Sequence, residues 1–315
     1  MSSSSGFVVL SDVAVHDVLM NLTKDDIVLF LEAIGATLRA FSLGGERAYQ
    51  PDPAIVNRPD GRRNLFRLFT SSAGVGVKII VDPSQANKLM GLHGLIALCD
   101  KNGFPAGIIN AEEVTGFRTA LSAMVLYIRR RATANVVIFG AGKQALWHTR
   151  LILGLRGDEI KRITFVNRSA ERTRLLIEQI KRENEARWKA AVQFDSVPPP
   201  TAAEALEDVL QQADAVFCTT PSKQVLFPAR FLGSPVAKSC YVSAIGSWQA
   251  DMIELDPALL TDASERGIVI VDDRKECAAT GEIIHVGVGM TDLASAHAIL
   301  ALAKKKGHGF TVPEF

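Results

Sequence analysis

The stretch VVIFGAGKQALWH at residues 136–148 constrains the fold of this chain more than any other. Val136 to Phe139 reads as a strand buried on both faces, and the segment after the glycines reads as a helix. In a G-x-G-x-x-G pattern with Ala145 at its last position, Gly140 permits the tight turn and Gly142 lets the backbone approach a diphosphate. Ala145 keeps the helix close to the strand. The amino end of that helix then faces the phosphates. The expectation is a dinucleotide site in which Gly140, Ala141, Gly142, Lys143 and Gln144 meet the cofactor.

Further strands follow the same rhythm. ITFVNRS (163–169), ADAVFCTT (213–220), SCYVSAIG (239–246) and GIVIVDD (267–273) are apolar runs that close in small or polar residues. Alternating with helical segments, they predict a parallel, doubly wound sheet of the Rossmann type, an α/β fold. Thr219, Thr220 and Ile245, at the ends of later strands, join the candidate cofactor residues. Residues 196–201, with three consecutive prolines from Pro198, read as a loop before a helix at 203–212.

The amino-terminal part has a different texture. Ser11 reads as a helix cap, and Thr23 followed by Asp26 starts a second helix with Ile27, Leu31, Ile34, Leu38 and Phe41 on one face. Gly44 and Gly45 end it. Between Tyr49 and Ile109 the runs 65–69, 75–81 and 95–99 predict a sheet, with a turn at Lys101-Asn-Gly103. A helix is expected from Ala111 to Arg131. The chain therefore joins a smaller α+β domain to the doubly wound one.

Composition limits the partners. With 35 basic and 34 acidic residues the net charge is +1, which leaves no field to draw the chain to nucleic acid or an anionic membrane. Arg129-Arg-Arg131 and Lys304-Lys-Lys306 read as helix ends. No segment reaches membrane-spanning length, and the amino end lacks the features of a signal peptide. Cys99, Cys218, Cys240 and Cys277 show no C-x-x-C pair and no histidine at ligand spacing, so no metal site is expected; they read as buried thiols in a reducing, cytoplasmic setting.

The end of the second strand of the doubly wound sheet chooses between nicotinamide cofactors. An acidic residue there accepts hydrogen bonds from the adenine ribose in NAD-binding domains. Here Asn167, Arg168 and Ser169 stand in its place, which favours NADP(H) over NAD(H), with Arg168 on the 2′-phosphate and Arg172 nearby. Lys78, inside the apolar run GVGVKIIV, is a second unusual feature. Burying an ammonium requires a partner or a lowered pKa. A place at a sheet edge and an ion pair with a nearby acid are the alternatives to a functional role.

Taken together, GVGVKIIV (74–81), NAEEVTGFRTALSA (110–123), GAGKQA (140–145), SAIGSWQADMIEL (243–255) and VDDRKECAATGEI (271–283) resemble the ornithine cyclodeaminase and mu-crystallin family. The resemblance implies a substrate and dimerisation domain at residues 1–118, an NAD(P)-binding domain at 119–289, and a carboxyl-terminal helix at 290–315 returning to the first domain. It also implies a homodimer acting on a small imino or amino acid at the cleft between domains. By motif, Arg118 takes the place of the arginine that holds the substrate carboxylate, with a helix-end salt bridge as the alternative. Lys78 takes that of the lysine beside the substrate nitrogen.

Three departures bear on function. Trp248 stands where the cyclodeaminases carry a catalytic aspartate, which disfavours deamination with ring closure. Pro53 replaces the arginine of a Q-P-x-R pattern, leaving Arg58, Arg62, Arg63 or Arg67 as substitutes, each of which also reads as a solvated side chain. After Ile283 the chain lacks several tens of residues that the family carries before its last helix, which begins near Thr291. The expected activity is reduction of a cyclic imino acid by NADPH, with a non-catalytic NADPH-binding protein as the competing class. His93 and His285 are candidate proton carriers, and a structural role is the alternative for each.

Overall fold

The computed structural model describes residues 6–83, 92–197, 203–233, 239–247, 251–271 and 289–312. The chain divides into two compact units, one formed by Met1–Arg118 with Val288–Phe315 and the other by Thr119–Gly287. Among the described residues, no helix is long and apolar enough to cross a membrane.

The first unit is built on a seven-stranded sheet in the order β12-β1-β6-β5-β4-β3-β2. Its strands are β1 (Phe7–Leu10), β2 (Ala54–Asn57), β3 (Arg63–Ser71), β4 (Gly74–Asp82), β5 (His93–Asp100), β6 (Pro105–Asn110) and β12 (Phe310–Val312). All neighbours are antiparallel except β1 and β6. The β5–β6 turn forms as expected: Asp100 Oδ1 accepts from the Asn102 and Phe104 amides, and Gly103 takes φ +88°. Helices α1 (Asp12–Met20) and α2 (Lys24–Leu43) begin on the expected caps, Ser11 and Thr23, the latter in a reciprocal capping box with Asp26.

Cross-strand partners share a face of a pleated sheet. Leu10, Ile109, Ile96, Lys78 and Arg67 follow one another in register, as do Val8, Gly107, Leu98, Gly76 and Phe69. That face is covered by α8 (Gly289–Lys306), against which α1 and α2 pack. The cover is close: a Cβ on Gly107 would lie 3.1 Å from Leu300 Cδ2. Met290, Leu293, Ala296, Ile299, Leu300 and Ala303 of α8 are all buried. The opposite face carries Val9, Leu68 and Val75, all exposed.

The second unit holds a five-stranded sheet, order β11-β10-β7-β8-β9, with every pair parallel. The strands are β7 (Asn135–Phe139), β8 (Arg162–Val166), β9 (Gln193–Val197), β10 (Ala215–Cys218) and β11 (Tyr241–Ala244). Helix α3 (Ala111–Tyr127) precedes β7 in the chain, α4 (Lys143–Arg156), α5 (Ala170–Ala186) and α6 (Ala203–Gln212) lie between successive strands from β7 to β10, and α7 (Pro257–Glu265) follows β11. The α/β, Rossmann-type expectation is met. Because the order reverses between β7 and β10, the carboxyl ends of these two strands border the switch-point crevice where such sheets bind ligands.

Several expectations need correction. Gly267–Val271 is not a strand, and Ile268 and Ile270 are exposed; apolar alternation makes a strand only where a neighbour pairs with it, and among the described residues the sheet stops at β11. Ser196 and Val197 close β9 rather than open a loop, because residues 193–197 pair in full register with β8. Helix α3 ends at Tyr127, four residues early. Cys99 and Cys240 are only half-buried, while Cys218 is buried; Cys277 lies outside the described residues.

Candidate functional site

The glycine turn sits at the carboxyl end of the central strand. Val136 to Phe139 are buried on both faces of the sheet, so the chain emerges at a fixed point. Gly140 has φ +117°, and a Cβ there would come 2.7 Å from Thr219 Oγ1. Around Gly142 a Cβ would meet nothing within 4 Å, which is the open space a diphosphate requires next to the backbone. Ala145 is fully buried, as the motif demands of the residue that seats α4.

The caps support the same reading. Helices α1, α2, α5 and α7 each start on a side chain that accepts a first-turn amide, whereas α4 starts on Gly142 with no side-chain cap. No cap side chain of its own stands over that end, where an anion can approach. Lys143 is exposed beside them and Gln144 half-buried. The residues present fit a dinucleotide.

Thr219 and Thr220 stand across the crevice. Thr219 binds the Phe139 carbonyl through both its amide and its hydroxyl. The next two turns are tied by Glu254, whose Oε1 accepts from the Thr220 amide at 3.0 Å and whose Oε2 accepts from the Gly246 amide at 2.7 Å. Glu254 is fully buried. The Ile245 amide bonds the Cys218 carbonyl. Sequence reasoning missed Glu254; an acid between Ile253 and Leu255 was the available signal.

At the end of β8, Asn167 Nδ2 donates to the Ser169 carbonyl and to Thr173 Oγ1, while Ser169 Oγ caps α5 by accepting from the Arg172 amide. These two side chains shape the turn. Arg168 is exposed upon it, and Arg172 is exposed one turn into α5.

In the first unit Lys78, Arg118 and Asp292 come together. Lys78 Nζ donates to Asp292 Oδ1 at 2.8 Å and Arg118 Nε donates to the same oxygen at 3.0 Å. All three are buried, with Asp292 completely enclosed. Lys78 lies on β4 in the sheet interior, so the sheet-edge alternative is excluded and the ion pair is real. Burial, aided by Arg118 and Arg67, pulls the Lys78 ammonium down to about 8 against the opposing pull of Asp292. Burial raises the Asp292 carboxyl, but Arg118, Lys78 and Arg67 together hold it below the ordinary carboxylate range.

Of the four arginines offered in place of Pro53, Arg67 faces this cluster. It pairs in register with Lys78, and its stem lies against the start of α8, 3.2 Å from a Cβ built on Gly289. Arg62 is held by Asp60, Arg63 donates to Asn57, and Arg58 is exposed. His93 is exposed and bonded to Glu112, which gives it a structural partner. Trp248, His285 and the shortening after Ile283 lie outside the described residues.

The family model for the ornithine cyclodeaminase/mu-crystallin family matches residues 12–304, and the chain belongs to that family. An uncharacterized protein of Saccharomyces cerevisiae is 22% identical over 315 residues, covering 90% of this chain and 84% of that one. The Delta(1)-pyrroline-2-carboxylate reductase of Paracoccus denitrificans is 27% identical over 247 residues, 76% of this chain and 69% of the reductase. The solved structure of Thermococcus litoralis Delta(1)-pyrroline-2-carboxylate reductase, in complex with NADH and L-proline, superposes with TM-score 0.70 at 15% identity, over 97% of this chain and 100% of that one. At that identity the likeness speaks for the fold.

Proposed function

We propose that the protein is a nicotinamide-dependent reductase of a small cyclic imino acid. The observation that carries this reading is the buried Lys78–Asp292–Arg118 cluster, in which an ammonium and a guanidinium are held side by side on one carboxylate oxygen. Arg67 adds a third cation to its field. A guanidinium held beside an ammonium suits a 2-carboxylate that adjoins an imine nitrogen. The pyrroline-2-carboxylate reductases among the relatives are consistent with that class of substrate.

In this account the Arg118 guanidinium holds the carboxylate, and Lys78 donates a proton to the imine nitrogen. Protonation makes the carbon electrophilic; hydride adds to it, the C=N π pair moves to nitrogen, and Lys78 is left as a neutral amine to be reprotonated from water. The nicotinamide cofactor supplies the hydride and is oxidised. Gly140, Ala141, Gly142, Lys143 and Gln144 would hold its diphosphate, with Thr219, Thr220 and Ile245 beside them. No strong base is needed.

The experiment is NADPH oxidation with five- and six-membered cyclic imine 2-carboxylates, using Lys78→Ala as the control. Turnover lost in the control supports the reading. Tight NADPH binding with a silent panel supports a non-catalytic binding protein instead, and ammonia release from ornithine supports a cyclodeaminase.

NADP(H) is preferred over NAD(H) in this reading, because Asn167, Arg168 and Ser169 at the end of β8 include a guanidinium and no carboxylate, and Arg172 stands nearby on α5. Arg168→Ala is expected to weaken NADPH by about tenfold to a hundredfold, in line with a charge-assisted hydrogen bond of about 1.5–3 kcal/mol, and to leave NADH nearly unchanged. Equal losses, read by fluorescence titration, sink the assignment.

A second copy of the chain is the proposed partner. The sheet face opposite α8 presents Leu68 and Val75, 47% and 40% exposed, with Val9, and exposed apolar side chains on a sheet face favour burial in an interface. Light scattering should report twice the 34.0 kDa of one chain, whereas a monomer at micromolar concentration removes the proposal.

A further inference from the structure

Asp292 is the acid on which cations from three elements converge. Lys78 reaches it from β4, Arg118 from α3 and Arg67 acts on it from β3, while Ile96, the β5 partner of Lys78, is apolar. Both direct hydrogen bonds fall on Oδ1, and the buried Oδ2 accepts from no described residue. The carboxylate stands in the first turn of α8, rooted among Thr291, Leu293 and Ser295, each of which is buried. One oxygen thus fixes the spacing between an ammonium and a guanidinium that come from different elements of the fold.

We infer that Asp292 is a positioning residue: its carboxylate ties Lys78 to Arg118, holding the proton donor charged and at a set distance from the anchor for the substrate carboxylate. The inference rests on the reductase reading for its kinetic consequence, but its electrostatic consequence stands apart from any turnover. Without the negative charge, what still acts on the Lys78 ammonium is its burial and the cations Arg118 and Arg67. Burial and like charge both disfavour its ammonium. The donor then loses its proton at lower pH, and the Arg118 Nε–H loses its charged acceptor.

The test follows the Lys78 side chain by NMR in protein carrying 13C at lysine Cε, the signal being assigned by its loss in Lys78→Met. In the wild-type protein the signal is expected to titrate with a midpoint at about 8, below the ordinary lysine range. In Asp292→Asn the midpoint falls by one unit or more, about a tenfold change in the proton equilibrium. The alkaline limb of kcat/KM moves with it. Asp292→Glu keeps the charge but displaces it, so its midpoint stays near that of the wild type while kcat/KM falls at least tenfold.

An unchanged midpoint in Asp292→Asn overturns the inference. If that variant does not fold, Asp292→Glu decides alone: a wild-type kcat/KM there, or a fallen midpoint, overturns it. A wild-type protein that reduces no imino acid refutes the reductase reading, and the NMR titration then still judges the electrostatic tie.

Discussion

Replacing Arg118 by alanine is expected to lower kcat/KM for the imino acid by two to three orders of magnitude while leaving NADPH affinity within about twofold. The side chain is 7% exposed, and its Nε is fixed on Asp292 Oδ1. Truncating one partner of a buried, hydrogen-bonded charge pair costs about 2–5 kcal/mol, and each 1.4 kcal/mol is a factor of ten. Most of the loss should appear in KM, since the carboxylate is bound before and after hydride transfer alike. Arg118→Lys should recover only part of it, because an ammonium cannot reproduce the planar fork. Nucleotide affinity serves as the internal control: the glycine turn belongs to the other unit of the chain, so a variant that loses both has lost its fold.

The second large effect concerns stability rather than catalysis. Glu254→Ala should lower the unfolding free energy by about 3 kcal/mol, because two backbone amides that the carboxylate satisfies lose their acceptor. For a domain of this size that corresponds to a fall of roughly 6–12 °C in Tm. Glu254→Gln retains volume and one acceptor oxygen but turns an NH2 toward the other amide, so its loss should be intermediate. The same substitutions should weaken nucleotide binding, since Thr220 and Gly246 are the turns that Glu254 holds at the ends of β10 and β11. A melting temperature unchanged in Glu254→Ala contradicts this role.

What could be read in the residues alone was the part governed by local rules. The β7 run, the glycine turn, the helix caps at Ser11 and Thr23 and the turn at Gly103 each declare themselves within a dozen residues, and each is present. What escaped depends on pairing across the chain. Asp292 stands 214 residues from Lys78, and nothing in its own neighbourhood distinguishes a buried counter-ion from an acid in the first turn of a helix. Arg67 stood level with Arg58, Arg62 and Arg63 until the β3–β4 register put it opposite Lys78. The run from Gly267 to Val271 failed in the other direction, since alternation states a preference and pairing decides the outcome.

The most direct test of the central claim is isotope transfer. NADPH carrying deuterium at the transferable position of C4 is incubated with the protein and a cyclic imine 2-carboxylate, and the product is read by mass spectrometry and NMR. The account predicts one deuterium on the carbon that was the imine carbon, with none in Lys78→Ala. Product without that label, or nucleotide bound and never oxidised, contradicts it.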